Sequence, residues 1–388
     1  MTGSTGDVRA VAAAADAFAR RTVRPRPAPG DDAAARREAR ALLGLLGEGG
    51  WCRFAVPEEL GGAPVPAVAA AGVSVGALCA IREALAAASP LADAVLALQA
   101  LGSMPIALSD NEAMRRRWLP EVAAGRAMAA FAMTETEAGS DVGAIATRAV
   151  RDGDGYRLDG GKWLISNAGL ADFYCVFATT DPGAGTRGLS CFVVPADAPG
   201  FRFVAVQVLS EPHPLGEIAL EGCRVPSEAR LGAEGEGFRL GMRALDRLRP
   251  TVAAAACGLA SRALEEALAH ARARRQFGKP IAEQPLVAEK LARMATDLEA
   301  ARLLVGRAAT AADSGAERFT LEAAQAKLFA TEAAQRIVDD AVQIWGGRGA
   351  LAASPVDRLY RAVRSLRIYE GTSEIQHLVI ARELLRGG

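Results

Sequence analysis

Residues 7 to about 127 place apolar side chains at helical spacing. They predict an alanine-rich helix around 8–23, a second near 32–48, a strongly apolar pair across 63–108 and a further helix over 112–124. The turn Val56-Pro57-Glu58-Glu59-Leu60-Gly61-Gly62 separates the second from the third. From about 128 to 236 the pattern changes to short β runs with turn punctuation. The run 156–158 follows Asp152-Gly153-Asp154-Gly155, and 173–178, 189–194, 201–206 and 217–220 continue the series. This stretch predicts a small antiparallel β-barrel or sandwich. From Gly237 the helical period returns in three long segments, 240–274, 285–314 and 320–345. At ~1.5 Å per residue each is long enough to span a bundle.

The predicted fold is therefore mostly α with a central β domain, divided into an N-terminal helical domain (1–127), a β domain (128–236) and a C-terminal four-helix-type bundle (237–388). A chain of 388 residues supports more than one core. The order excludes a doubly wound nucleotide fold, and no glycine run gives G-x-G-x-x-G between a strand and a helix. Lys plus Arg equals Asp plus Glu at 45 each, and aromatics are few, so nothing suggests a nucleic-acid partner. Six cysteines (Cys52, Cys79, Cys175, Cys191, Cys223, Cys257) are scattered singly, with no metal spacing to His213, His270 or His377. They read as small buried hydrophobes in a reducing, cytoplasmic setting. The apolar region 63–108 is interrupted by Arg82, Glu83, Asp93 and prolines, which predicts a buried helical pair and no membrane insertion.

Near the C-terminus, arginines at 358, 361, 364 and 367 lead into Ile368-Tyr369-Glu370-Gly371-Thr372-Ser373-Glu374-Ile375-Gln376. Ser373 with Gln376 reads as a capping box that starts a final helix, which leaves Glu370 at a break between helices. Ile375, Leu378, Val379 and Leu385 are spaced to bury one face of that helix. By itself, an acid beside a glycine reads as a solvated loop residue.

Five segments, in order, carry a resemblance to acyl-CoA dehydrogenases. They are Phe131-Ala132-Met133-Thr134-Glu135-Thr136-Glu137-Ala138-Gly139-Ser140-Asp141-Val142, Gly161-Lys162-Trp163-Leu164-Ile165-Ser166-Asn167, Arg274-Arg275-Gln276-Phe277-Gly278-Lys279-Pro280-Ile281, Gln343-Ile344-Trp345-Gly346-Gly347-Arg348-Gly349 and the stretch around Glu370. The likeness runs from about residue 50 to the end. It implies FAD as cofactor, with Met133, Thr134 and Ser166 meeting the flavin ring, and Arg274, Phe277, Gln343, Gly346, Gly347 and Thr372 along the dinucleotide. A guanidinium fork suits a diphosphate, and glycine permits close backbone approach. The resemblance further implies that the Arg274 segment reaches a neighbouring subunit's cofactor in a homotetramer or homodimer.

The same resemblance makes Glu370 the catalytic base that removes the α-proton of an acyl thioester, with β-hydride passing to flavin N5. One branch of the family carries its base on the helix near Asp246-Arg247-Leu248-Arg249. Leu248 occupies that position here and cannot take a proton. Ser140, Asp246, Arg249 and Gly371 match substrate-side positions, although Asp246 and Arg249 read equally well as a structural ion pair. The implied partners are an acyl-CoA substrate and an electron-transferring flavoprotein. Two other readings stay open: an acyl-carrier-protein substrate or an oxidase on the same fold, and a non-catalytic scaffold. Departures from the family pattern include Thr136-Glu137 for Pro-Gly and Leu164 for an aromatic. Glu211-Pro212-His213-Pro214-Leu215-Gly216-Glu217 stands in place of an Arg-x-Ser-x-Thr loop, where His213 reads as a solvent-exposed loop residue in preference to the alternative, a pH-sensitive ligand contact.

Overall fold

The computed structural model describes residues 8–65, 72–316 and 318–386. Five helices open the chain: α1 (Val8–Phe18), α2 (Asp32–Glu48), α3 (Val75–Ala88), α4 (Pro90–Leu108) and α5 (Glu112–Ala123). Eight strands follow: β1 (Ala129–Ala132), β2 (Arg148–Asp152), β3 (Gly155–Ser166), β4 (Phe173–Thr179), β5 (Leu189–Pro195), β6 (Phe201–Val206), β7 (Leu215–Pro226) and β8 (Arg230–Leu231). Helix α6 (Gly237–Ala273) then leads through the small hairpin β9 (Arg275–Gln276) and β10 (Lys279–Pro280) to α7 (Pro285–Asp313), α8 (Thr320–Trp345), α9 (Pro355–Arg364) and α10 (Ser373–Arg386). The α–β–α order matches the reading of the sequence. By contact the chain forms two compact units, one of Met1–Pro27, Val75–Asp93 and Arg249–Gly388, the other of Ala28–Ser74 and Ala94–Leu248.

The second unit is built on one sheet in the order β6-β7-β3-β2-β4-β5-β8, with β1 beside β4. Pairing is antiparallel except for β1 with β4 and β2 with β4, which run parallel. Strands β4 and β5 are buried along nearly their whole length, as their continuous apolar runs require. Trp118 of α5 packs on Phe173 at 4.5 Å between ring centroids.

The first unit is a helical assembly with an alanine-rich core drawn from α3, α6, α7, α8 and α9. Small side chains let these helices approach closely. At Gly258 of α6 an added Cβ would lie 2.2 Å from Glu83 O of α3, so only glycine fits there. A buried ion pair ties α3 to the start of α4: Arg82 Nε and Nη2 donate to Asp93 at 2.7 and 2.9 Å, and Nη1 donates to Thr251 Oγ1 at 2.7 Å. Helix α4 is long and apolar enough to cross a membrane by composition alone, and 83% of its most apolar window is buried in protein. All six cysteines are buried free thiols.

Two expectations for the last helix are corrected. The cap is Thr372, whose Oγ1 accepts from Ile375 N at 3.3 Å, whereas Ser373 lies inside the first turn and gives its hydroxyl to Glu332 at 2.5 Å. The buried positions of α10 are Ser373 and Gln376, while Leu378 and Leu385 remain 66% and 82% exposed. The polar edge of this helix is recruited to hold the preceding loop, which turns the apolar edge outward.

Candidate active site

The loop between α9 and α10 is fixed from both sides. Glu332 of α8 accepts from Arg367 Nε at 2.7 Å on one side of Glu370 and from Ser373 Oγ on the other. Between these anchors Glu370 adopts φ +54° and Gly371 φ +93°. Left-handed backbone at a non-glycine residue costs ~1–2 kcal/mol and persists only where the surroundings over-determine it.

The surroundings here are three donors aimed at two carbonyls. Arg249 Nε donates to Glu370 O at 3.1 Å, Lys327 Nζ donates to Gly371 O at 2.7 Å, and Gln376 Nε2 donates to Gly371 O at 3.0 Å. Arg249, Lys327 and Gln376 are all buried. With both carbonyls committed, the Glu370 N–H has no backbone acceptor among the described residues. It is a fixed donor beside a carboxylate.

By surface area Glu370 is only half-buried, but its Oε2 is out of reach of solvent and has no hydrogen-bond partner among the described residues. The carboxylate is thus desolvated even though part of the residue is accessible. Burial pushes its pKa above the ordinary carboxylate range, outweighing the charges of Arg82, Arg249 and Lys327, which pull it down. Burial also lowers Lys327 to about 8, against the opposing charge of Glu370. A raised, unpaired carboxylate next to a free N–H can take a proton from carbon and hold the oxyanion that results.

The ends of α6 and α8 meet where His270 stacks on Trp345, 4.8 Å between centroids, and Trp345 Nε1 donates to Glu266 O at 3.2 Å. Arg274 and Phe277 follow α6, and Gln343, Gly346 and Gly347 close α8; all five are exposed. Phe277 is 94% exposed with φ +51°, and the Arg274 guanidinium has no ion-pair partner among the described residues. A Cβ added at Gly346 or Gly347 would meet nothing within 4 Å, leaving open backbone for a ligand.

The second unit holds a different group. Lys162 on β3 is fully buried, with Nζ 3.1 Å from Met133 O and 2.7 Å from Glu135 Oε1. Glu135 also accepts from Ala146 N and Thr147 N, at 2.7 and 3.0 Å. Burial raises the Glu135 pKa but Lys162 and these hydrogen bonds overcome it, and the net shift is downward. Trp163 N donates to Thr134 O at 2.9 Å. The Met133–Thr134 edge is thereby fixed, and no described residue bonds the Thr134 hydroxyl. Ser166 ends β3, with Oγ 2.8 Å from His213 Nε2. His213 is therefore a partly buried, bonded residue, which corrects its reading as a solvent-exposed loop histidine. Leu164 is 42% exposed at φ +56°, its N–H held by Gln207 Oε1 at 2.9 Å. Ser140 is exposed in a turn, and Asp246 is half-buried on α6.

The structure gathers Glu370, Gly371, Thr372 and Arg249 in the first unit, and Met133, Thr134 and Ser166 in the second. Sequence reasoning missed Lys327, Gln376 and the Arg82–Asp93 pair. Arg82, Glu83 and Asp93 in the apolar run 63–108 were a usable signal, since a charge buried in such a run needs a partner. Lys327 in an alanine-rich helix carries no such signal.

Family models match the chain in three consecutive parts: the acyl-CoA dehydrogenase N-terminal domain over residues 5–126, the middle domain over 130–223 and the C-terminal domain over 235–385. A probable acyl-CoA dehydrogenase of Mycobacterium tuberculosis (strain ATCC 25618 / H37Rv), FadE25, is 37% identical over 372 residues, covering 95% of this chain and 93% of the relative. A chain in the structure of the electron transferring flavoprotein of Acidaminococcus fermentans superposes with TM-score 0.90 at 34% identity, over 100% of both chains. The prolyl acyl carrier protein oxidase AnaB superposes with TM-score 0.88 at 28% identity, over 99% of this chain and 100% of that one. The chain belongs to the acyl-CoA dehydrogenase family and is an FAD-dependent oxidoreductase.

Proposed function

We propose that the protein desaturates an acyl-CoA thioester between its α- and β-carbons, with Glu370 as the base. The observation that carries this reading is the desolvated, unpartnered Oε2 of Glu370 beside an uncommitted N–H. FAD, when bound, supplies the acceptor for the β-hydride. Glu370 takes the α-proton, and its own N–H stabilises the negative charge that moves onto the thioester oxygen. The product would be a trans-2-enoyl thioester, with the α-proton held on Glu370.

Arg249, Lys327 and Gln376 hold the Glu370 and Gly371 carbonyls away from the reaction, so the donor needs no reorganisation as charge develops. Arg249 thus acts on the base loop itself. Asp246, Ser140 and Gly371 are assigned to the substrate side. Thr134 and Ser166 supply hydroxyls, and Met133 backbone, for the flavin edge. Arg274, Phe277, Gln343, Gly346, Gly347 and Thr372 are assigned to the rest of the dinucleotide. The fit is good at Arg274, whose uncommitted guanidinium suits a pyrophosphate, and at Gly346-Gly347, where the backbone is open.

The exposed Phe277, Leu378 and Leu385 support a homotetramer or homodimer. An electron-transferring flavoprotein is the proposed acceptor and the cytoplasm the proposed location. Likeness to AnaB favours a second reading, in which the carrier is an acyl carrier protein or the acceptor is oxygen. Anaerobic mixing with a panel of CoA and carrier thioesters, followed by flavin absorbance, tests both. One enoyl thioester formed per FAD bleached supports the proposal. No bleaching with any thioester refutes it, and reoxidation by air faster than by a flavoprotein acceptor selects the oxidase.

A further inference from the structure

His213 is the one imidazole hydrogen-bonded to a hydroxyl assigned to the flavin edge, and the chemistry above gives it no task. Its segment is where the sequence departs most from the family pattern. Pro212 and Pro214 flank it, and Asn167 N donates to Pro214 O at 2.9 Å, which fastens the segment to the residue after Ser166. Arg36 of α2 donates to Ala168 O and Leu215 O, both at 2.7 Å, pinning the backbone on either side.

The charged groups that act on the imidazole are Asp32, which favours protonation, and Arg36, which opposes it; the two are paired to each other at 2.6 Å. Burial outweighs both and holds His213 down to about 4, so the ring is neutral at physiological pH. A neutral imidazole has one N–H and one lone pair. Its nitrogen lone pair is a stronger acceptor than a hydroxyl oxygen, so the 2.8 Å contact is best satisfied with the Ser166 O–H donating to Nε2.

We propose that His213 is a positioning residue that captures the Ser166 hydroxyl proton in a hydrogen bond and leaves Ser166 Oγ facing the flavin as an acceptor. An acceptor there favours the reduced, N–H-bearing flavin and raises its midpoint potential. This inference rests on the placement of Ser166 against the flavin.

The test is potentiometric titration of the full-length, FAD-loaded protein as wild type, His213→Leu, His213→Gln, Ser166→Ala and the Ser166→Ala/His213→Leu double variant. His213→Leu lowers the reduced-to-oxidised ratio about tenfold at a given potential, a shift of about 30 mV for a two-electron couple. His213→Gln, whose amide oxygen accepts the same proton, keeps most of the wild-type potential. In the Ser166→Ala background the histidine substitution has no further effect. Nitrogen NMR of the imidazole shows the proton on Nδ1. An unchanged potential in FAD-loaded His213→Leu, a shift that persists without Ser166, or a proton found on Nε2 would each overturn the proposal. If Ser166→Ala leaves both potential and flavin spectrum at wild type, the placement of Ser166 fails and takes the inference with it. A wild type that takes up no FAD defeats the cofactor assignment itself.

Discussion

Replacing Lys327 with methionine keeps the length and apolar stem of the side chain but removes the ammonium 2.7 Å from Gly371 O. A hydrogen bond from a charged donor contributes ~1.5–3 kcal/mol, and because Gln376 still donates to the same oxygen the loss falls at the lower end, about 1.5 kcal/mol. The second effect is electrostatic. Lys327 is one of three cations that pull the Glu370 pKa down, after Arg82 and Arg249. Losing the weakest of the three raises Glu370 further, because less opposite charge is left to offset its burial.

The assay is stopped-flow anaerobic flavin bleaching by an acyl-CoA between pH 5 and 9. The acid limb of the rate profile moves to higher pH in Lys327→Met and returns in Lys327→Arg. Above about pH 8 the wild-type lysine itself loses its charge, and the two profiles converge. The stability sign is also fixed. Burial lowers Lys327 below its ordinary value of 10.5, so its charged form is disfavoured by folding. Stability therefore falls as pH drops from 10.5 toward 8 on account of this group, and that slope disappears in the methionine variant. A folded, FAD-loaded Lys327→Met protein whose acid limb stays at the wild-type position refutes the reasoning.

Arg82→Met leaves Asp93 charged and buried, and should cost ~3–5 kcal/mol in denaturant unfolding, whereas Arg82→Met with Asp93→Leu recovers most of it; a double variant as unstable as the sum of the singles contradicts this. Arg274→Ala should lower the FAD retained through gel filtration, and unchanged cofactor content shows that this guanidinium does not hold the pyrophosphate. Leu385→Glu on the exposed edge of α10 should reduce the mass seen by light scattering, and an unaltered mass removes that edge from the subunit interface.

The order of helices, strands and helices was legible because burial imposes a period. Strands β4 and β5 read as unbroken apolar runs, and the alanine-rich long helices announce close packing. The last helix was misread because hydrophobic spacing tells which face is apolar, not what covers it. Its apolar edge is exposed in one chain, and Gln376 is the residue that turns inward. Glu370 was found through resemblance, while its environment was not. Lys327 lies 43 residues away in sequence, and only the fold brings it to Gly371 O. His213 was misjudged for the same reason, since a loop position flanked by prolines says nothing about the 47 residues that separate it from Ser166.

The central claim is that Glu370 takes the proton, and Glu370→Gln tests it most directly. The glutamine keeps the shape, the positive φ and the clamped carbonyls but cannot accept a proton. The account predicts a folded protein that holds FAD with an unchanged flavin spectrum and is bleached by its acyl thioester several orders of magnitude more slowly. Bleaching at near wild-type rate would contradict it.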